Sequence, residues 1–198
     1  MSTVLVRQLT PEQYLEIERR AEFKSEFFQG EMFAMAGASR SHIRIAVNLT
    51  AGLGQRLLNG PCEVFNNDMR VRVSKTGLYT YPDLSIACHK PQFMDDKFDT
   101  LLTPKVLFEI LSESTERYDR ITKSSHYREI ESLDAYVLVS QKEPRVEVYQ
   151  RLPDGHWSLS DIQGLTGSLA LDSLGITIPL SEVYLRVEFP SSSSAKRV

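Results

Sequence analysis

Two carboxylates stand inside apolar, strand-like runs of this chain, and a lysine follows them on a helix. Asp83 lies in Tyr81-Pro82-Asp83-Leu84-Ser85-Ile86-Ala87-Cys88, and Glu109 in Val106-Leu107-Phe108-Glu109-Ile110-Leu111. A carboxylate in an apolar strand is costly unless a cation, a metal ion or several donors compensate it. Two on successive strands suggest one shared compensator, a divalent ion. On the next segment Asp119, Lys123 and Tyr127 recur at a spacing of four, which places them in one helical stripe. A helix that directly follows the Glu109 strand can pack over it, and Lys123 then reaches the carboxylates. Asp, Glu and Lys on neighbouring elements are the minimal kit for metal-dependent phosphodiester cleavage. The acids hold Mg²⁺, or Mn²⁺, and leave sites for water and phosphate oxygens. The ion acidifies water and the lysine neutralises developing charge.

A purely structural account stands beside that one. Asp83 after Pro82 can cap a turn, Glu109 and Lys123 can form a buried ion pair, and spacing alone favours this plainer account. Asp119 reads as a helix acid paired with Lys123 or Arg120, with a role as third metal ligand the less favoured option. Tyr127 reads as a core residue rather than a base. His89, His126 and His156 show no partner spacing, and Trp157 reads as packing.

The elements that must position these residues follow from caps, turns and alternation. Thr10-Pro11-Glu12 opens a helix to about Arg20. Phe23 to Met35 reads as a hairpin turning at Gln29-Gly30. Gly37-Ala38-Ser39 leads into a longer helix with Ile43, Val47, Leu49, Leu53 and Leu57 as its apolar positions, stopped by Asn59-Gly60-Pro61. Strands follow at Cys62–Asn66 and Met69–Ser74, then a turn at Lys75-Thr76-Gly77, the Asp83 strand from Tyr81 to Cys88, a polar loop from Lys90 to Thr103, and the Glu109 strand. There Leu107 and Leu111 share the face of Glu109, while Phe108 and Ile110 face the other way, as in a central strand covered on both sides. A helix from about Thr115 to Ile130 and three strands, Asp134–Ser140, Arg145–Arg151 and His156–Ile162, come next. Ile176-Thr177-Ile178-Pro179 and a short helix at Leu180–Leu185 close the fold. This order argues a mixed sheet with helices packed on it, and the Glu109 strand, the Lys123 helix and the Tyr136 strand fit one βαβ crossover.

At 198 residues the chain suits a single domain, assigned to residues 1–189, with a disordered polar tail over 190–198. No apolar run approaches the ~20 residues of a membrane span, and the first residues lack the pattern of a signal peptide. Cys62 and Cys88 have no metal-type spacing and read as two buried thiols, which points to the cytoplasm. The net charge of -3 excludes a molecule that is globally attracted to DNA. Local basic groups remain: Arg40 with Arg44, Arg70 with Arg72 and Lys75, and Arg117 with Arg120, Lys123 and Arg128.

Several motifs in order resemble one known family. They are Tyr81-Pro82-Asp83-Leu84-Ser85-Ile86, Phe108-Glu109-Ile110-Leu111-Ser112-Glu113-Ser114-Thr115, and Asp119 through Tyr127, with Phe28-Gln29-Gly30-Glu31, Met35 through Ser39 with His42, and Ile178 through Tyr184. They strongly resemble the Uma-type family assigned as restriction endonucleases, abundant in cyanobacteria and part of the PD-(D/E)XK nuclease superfamily. The resemblance spans about Thr10 to Val187. It implies a restriction-endonuclease-like α/β core, a Mg²⁺-dependent cut in DNA, Asp83 and Glu109 as metal ligands, and Lys123 as a catalytic lysine. Glu31 and His42 also match family positions, Glu31 toward the metal site and His42 toward phosphate, with a structural hydrogen-bonding role for either as the alternative. One departure stands out: the superfamily lysine belongs two residues after the glutamate, where this chain has Leu111. Lys123 then reads as a migrated lysine. The same departure keeps open a catalytically inactive nuclease-fold module for DNA binding or assembly, and a Mg²⁺ phosphohydrolase of nucleotides or RNA is a weaker option. The superfamily habit also implies a homodimer, with Phe23–Met35 or Val146–Leu159 as the contact hairpin.

Overall fold

Local chemistry sets the first elements. In this computed structural model, which describes residues 8–189, Thr10 accepts from the Gln13 amide while the Gln13 side chain returns the bond, a capping box at the head of α1 (Pro11–Glu18). β1 (Ser25–Phe28) and β2 (Glu31–Ala34) form the expected hairpin. Gln29 and Gly30 take φ of 50° and 88°, the left-handed pair that a tight hairpin turn requires. Ser39 caps α2 (Arg40–Leu57). The buried stripe of α2 is Ile45, Leu49, Leu53 and Leu57. Ile43 and Val47, expected inward, are 54 % and 52 % exposed. Each is two residues from Ile45, about 200° round the helix, which turns them away from the buried stripe toward solvent.

Beyond α2 come β3 (Cys62–Asn66), β4 (Arg70–Val73), β5 (Leu78–Thr80), β6 (Leu84–Cys88), β7 (Thr100–Leu101) and β8 (Val106–Leu111). The Asp83 strand, expected over Tyr81–Cys88, begins only at Leu84. β5 belongs to a five-stranded sheet, β2-β1-β5-β4-β7, and β6 to a six-stranded one whose remaining members are β9 (Ala135–Ser140), β10 (Arg145–Arg151) and β11 (Trp157–Gln163). Its order is β11-β10-β9-β8-β6-β3. Tyr81-Pro82-Asp83 is the crossing between the sheets, and Pro82, without an N–H, suits a place where the ladder stops. β8 and β9 pair in parallel, joined by a helical segment, as the crossover requires. β12 (Ser168–Leu171) and β13 (Ile176–Pro179) make a separate two-stranded ribbon before α4 (Leu180–Val183). β12 and β7 were not legible as strands in the sequence.

Alternation along β8 sorts two cores. Val106, Phe108 and Ile110 join Ile45, Leu49 and Leu53 of α2. Leu107 and Leu111 join Tyr127, Leu133 and Tyr136 with Val71, Val73 and Leu78 of the other sheet. β8 is thus buried along its whole length on both faces. The architecture is the expected mixed α/β one, with the N-terminal hairpin built into a second sheet.

The two cysteines are not thiols: Cys62 and Cys88 form a disulfide. They oppose one another directly across the antiparallel β3–β6 pair. That pairing depends on strand register, which a separation of 26 residues does not reveal. No helix among the described residues is long and apolar enough to cross a membrane. The tail assigned to 190–198 lies outside the described residues.

Candidate active site

The expected residues meet where the two sheets adjoin. The β6–β8 register pairs Leu84 with Phe108 and Ser85 with Leu107. Extended by one residue it sets Asp83 opposite Glu109. β6 stops short of that pair, and the Asp83 carboxylate takes over, accepting the Ile110 N–H on Oδ2 at 2.6 Å. His42 Nε2 lies 3.2 Å from the same oxygen. His42 is brought there by the first turn of α2, whose Ser39 cap also donates to Gln141 Oε1, while Gln141 Nε2 donates to the Leu111 carbonyl. The helix start is therefore tied to the end of β8.

Glu109 is 4 % exposed. Its Oε1 accepts both Lys123 Nζ at 2.9 Å and the Tyr127 hydroxyl at 2.8 Å. Lys123 and Tyr127 reach it because the segment after β8 opens as a π-helical stretch, Tyr118–Lys123, and tightens into α3 (Ser124–Tyr127). Wide turns of this kind recur at functional sites. Asp119 Oδ1 is 3.6 Å from the same Nζ. Asp119, Lys123 and Tyr127 thus act as one stripe, and Tyr127 is a hydrogen-bond donor to the site as well as a core residue.

Glu26 was missed. It comes from β1, in the other sheet, and its Oε1 sits 2.9 Å from Lys123 Nζ while accepting Thr80 Oγ1 at 2.5 Å. The local signal was slight, an acid before Phe27-Phe28 with Lys24 and Ser25 beside it in a hairpin strand. Glu31, the acid expected here, is not part of the group. It stands exposed on edge strand β2 in register with Phe28, and forms no hydrogen bond or ion pair with the Lys123 cluster among the described residues.

Three carboxylates, Glu26, Glu109 and Asp119, lie against one ammonium, and Asp83 stands near enough to Glu109 to act on it, so the cluster is rich in negative charge. Burial pushes the Glu109 carboxyl well up, and Asp119, Asp83 and Glu26 add to that against the pull of Lys123. Burial likewise raises Asp119. For Lys123 burial works against the charge, but Glu109, Glu26 and Asp119 outweigh it and hold the ammonium well above the ordinary lysine range. Lys123 is therefore a fixed positive charge rather than a base. Burial also keeps the Tyr127 hydroxyl protonated, so it remains a donor.

Among the described residues no three His, Cys, Asp or Glu side chains form a ready-made metal cage. A two-carboxylate site does not need one, because Mg²⁺ commonly takes one or two protein carboxylates and fills its remaining positions with water and phosphate. Asp83 Oδ1 and Glu109 Oε2 accept no hydrogen bond from the described residues, while their partner oxygens are fully engaged. These two oxygens, in a buried and acid-rich setting, are the donors such an ion would take.

Most of the basic groups noted in the sequence are consumed internally. Buried Arg70 donates to Tyr81 and Thr100, Arg120 pairs with Glu116 and Glu147, and Lys75 pairs with Glu131.

The family model Uma2, described as "Putative restriction endonuclease", matches residues 11–181. Two proteins of Synechocystis sp. are similar. "Uncharacterized protein slr1290" is 34 % identical over 182 residues, covering 92 % of this chain and 94 % of the relative. "Uncharacterized protein sll1609" is 35 % identical over 164 residues, covering 83 % and 93 %. Among solved structures, that of "a putative nuclease belonging to DUF820 from Anabaena variabilis ATCC 29413" shares the fold, with a TM-score of 0.72 at 15 % identity, covering 89 % of this chain and 97 % of that one.

Proposed function

The chain belongs to the Uma2 family, and on that footing we propose that it is a Mg²⁺-dependent DNA endonuclease that hydrolyses phosphodiester bonds at the Asp83–Glu109–Lys123 site. The observation that carries this reading is the union of three segments: Lys123 Nζ rests 2.9 Å from Glu109, and Asp83 is bonded to the next peptide of the same strand. Asp83 and Glu109 would hold the ion through their free oxygens. When bound, Mg²⁺ supplies Lewis-acid activation of water and counter-charge for the phosphate. The chain's own groups do the rest. The Ile110 N–H and His42 orient Asp83. Tyr127 fixes the Glu109 rotamer. Lys123, held charged by its carboxylate partners, would serve in place of the lysine missing at Leu111 and stabilise the charge that develops on the phosphate.

Purified protein is incubated with plasmid DNA and Mg²⁺ or Mn²⁺, beside Asp83→Ala. Nicking by the wild type, reduced on the order of a hundredfold or more in the variant, is expected. Equal nicking by both, or none by either across varied DNA substrates, contradicts the proposal. In the second case the inactive nuclease-fold module, favoured by Leu111 at the usual lysine position, takes its place. Cutting both strands calls for two copies, and the β1–β2 hairpin, with Phe33 exposed at its edge, is the contact offered. Light scattering that returns a monomer at working concentration removes this last element.

A further inference from the structure

Lys123 Nζ lies against three carboxylates, Glu109, Glu26 and, farther off, Asp119, and of these Glu109 is the one read as an ion ligand. The ammonium is 2.9 Å from Glu109 Oε1 on β8 and 2.9 Å from Glu26 Oε1 on β1. Glu26 is itself fixed by Thr80, at the end of β5, and its side chain is 9 % exposed. One ammonium cannot fully compensate two buried carboxylates. Where it is drawn decides how much negative charge Glu109 keeps for another cation.

We propose, on the reading of Asp83 and Glu109 as ion ligands, that Glu26 is a positioning residue. It holds the Lys123 ammonium toward the second sheet, so that Glu109 stays available to the divalent ion while the amine remains beside it. Without the Glu26 charge, the ammonium, already 2.9 Å from Glu109 Oε1, keeps only Asp119 at 3.6 Å as a second carboxylate partner among the described residues, and its charge falls mainly on Glu109. The ion must then break that pair to bind. Glu26 acts through Lys123, not by touching the ion or the phosphate, and its effect must disappear when Lys123 is gone.

That dependence defines the test. Mn²⁺ binding is measured by calorimetry for wild type, Glu26→Gln, Lys123→Met and the double variant, each checked for folding by thermal unfolding. Glu26→Gln is expected to weaken Mn²⁺ binding about tenfold or more, the size of coupling found between contacting buried groups. In the Lys123→Met background the same change is expected to cost less than about threefold. An equal loss in both backgrounds makes Glu26 a ligand or a plain source of field and overturns the proposal. So does wild-type binding by Glu26→Gln. Where Lys123→Met does not fold, Glu26→Asp decides: it keeps the charge but withdraws it from Nζ, so a loss like that of Gln supports positioning and wild-type affinity contradicts it. Wild-type binding by Glu109→Ala removes the ion site itself, and with it the premise, whatever Glu26 does.

Discussion

The two oxygens of Glu109 have different tasks: Oε1 is saturated by Lys123 and Tyr127, and Oε2 accepts nothing from the described residues. Removing the charge while keeping the shape therefore separates structure from chemistry. Glu109→Gln is expected to remain folded, to bind no Mn²⁺ in calorimetry, and to lose nicking by about a hundredfold or more. Tyr127→Phe deletes one donor to a charged acceptor and is expected to lower stability by about 1.5–3 kcal/mol in urea unfolding. No change in stability would mean the hydroxyl bond does not hold Glu109. At this scale much was legible. An acid flanked on both sides by apolar residues signalled Glu109 and Asp83, and helical spacing signalled Lys123. Glu26 escaped because its burial comes from contacts distant in sequence, with Lys123 and Thr80, which local pattern does not show. Glu31 was drawn in by family likeness alone, and its place on an edge strand leaves it in solvent.

Elements bring the residues to one place, and α2 shows how. Its inward stripe runs through Leu49 and Leu53, fully buried, whereas Val47 is half exposed. Leu53→Ala is expected to cost about 2–5 kcal/mol, and Val47→Ala no more than about 0.5 kcal/mol, both by denaturant unfolding. Similar costs at the two positions would contradict the helix orientation. Composition could not decide between them, because both positions are aliphatic and the wheel can be drawn through either set. The helix boundaries, by contrast, were readable from Thr10, Ser39 and the Asn59-Gly60-Pro61 stop. The break between β5 and β6 was not, since Tyr81 to Cys88 is apolar apart from Asp83 and Ser85 and only the crossing between sheets divides it from β5. That break frees Asp83 from the strand ladder, so that its carboxylate can cap β8 and meet His42.

At the scale of the whole molecule, links of long sequence range tie the edges of each sheet to their surroundings. Arg19 of the first helical region grips Asp95 and Asp99 in the segment before β7. Its hydrogen bonds hold both carboxyls below their ordinary value of 3.8. Groups depressed on folding stabilise above the unfolded value and lose that contribution as pH falls through the folded one. The melting temperature is therefore expected to drop as pH falls below about 4, with a smaller drop in Arg19→Ala, and an unchanged profile in that variant would refute the link. The Cys62–Cys88 bridge closes the edge strand β3 onto β6. Its removal as Cys62→Ser with Cys88→Ser is expected to cost about 2–4 kcal/mol by loop entropy. Equal stability of the oxidised wild type and the double variant would speak against it. Such pairings rest on register and tertiary contact, which is why neither the disulfide nor the second sheet could be read from local pattern, although the α/β class and the parallel β8–β9 crossover could.

The account stands on a divalent ion shared by Asp83 and Glu109, and a crystal of the protein soaked with Mn²⁺ tests that most directly. Anomalous density in contact with both carboxylates, with the Lys123 amine still beside Glu109, is the predicted result. No ordered ion there, with both side chains engaged only as in the ion-free protein, would contradict it.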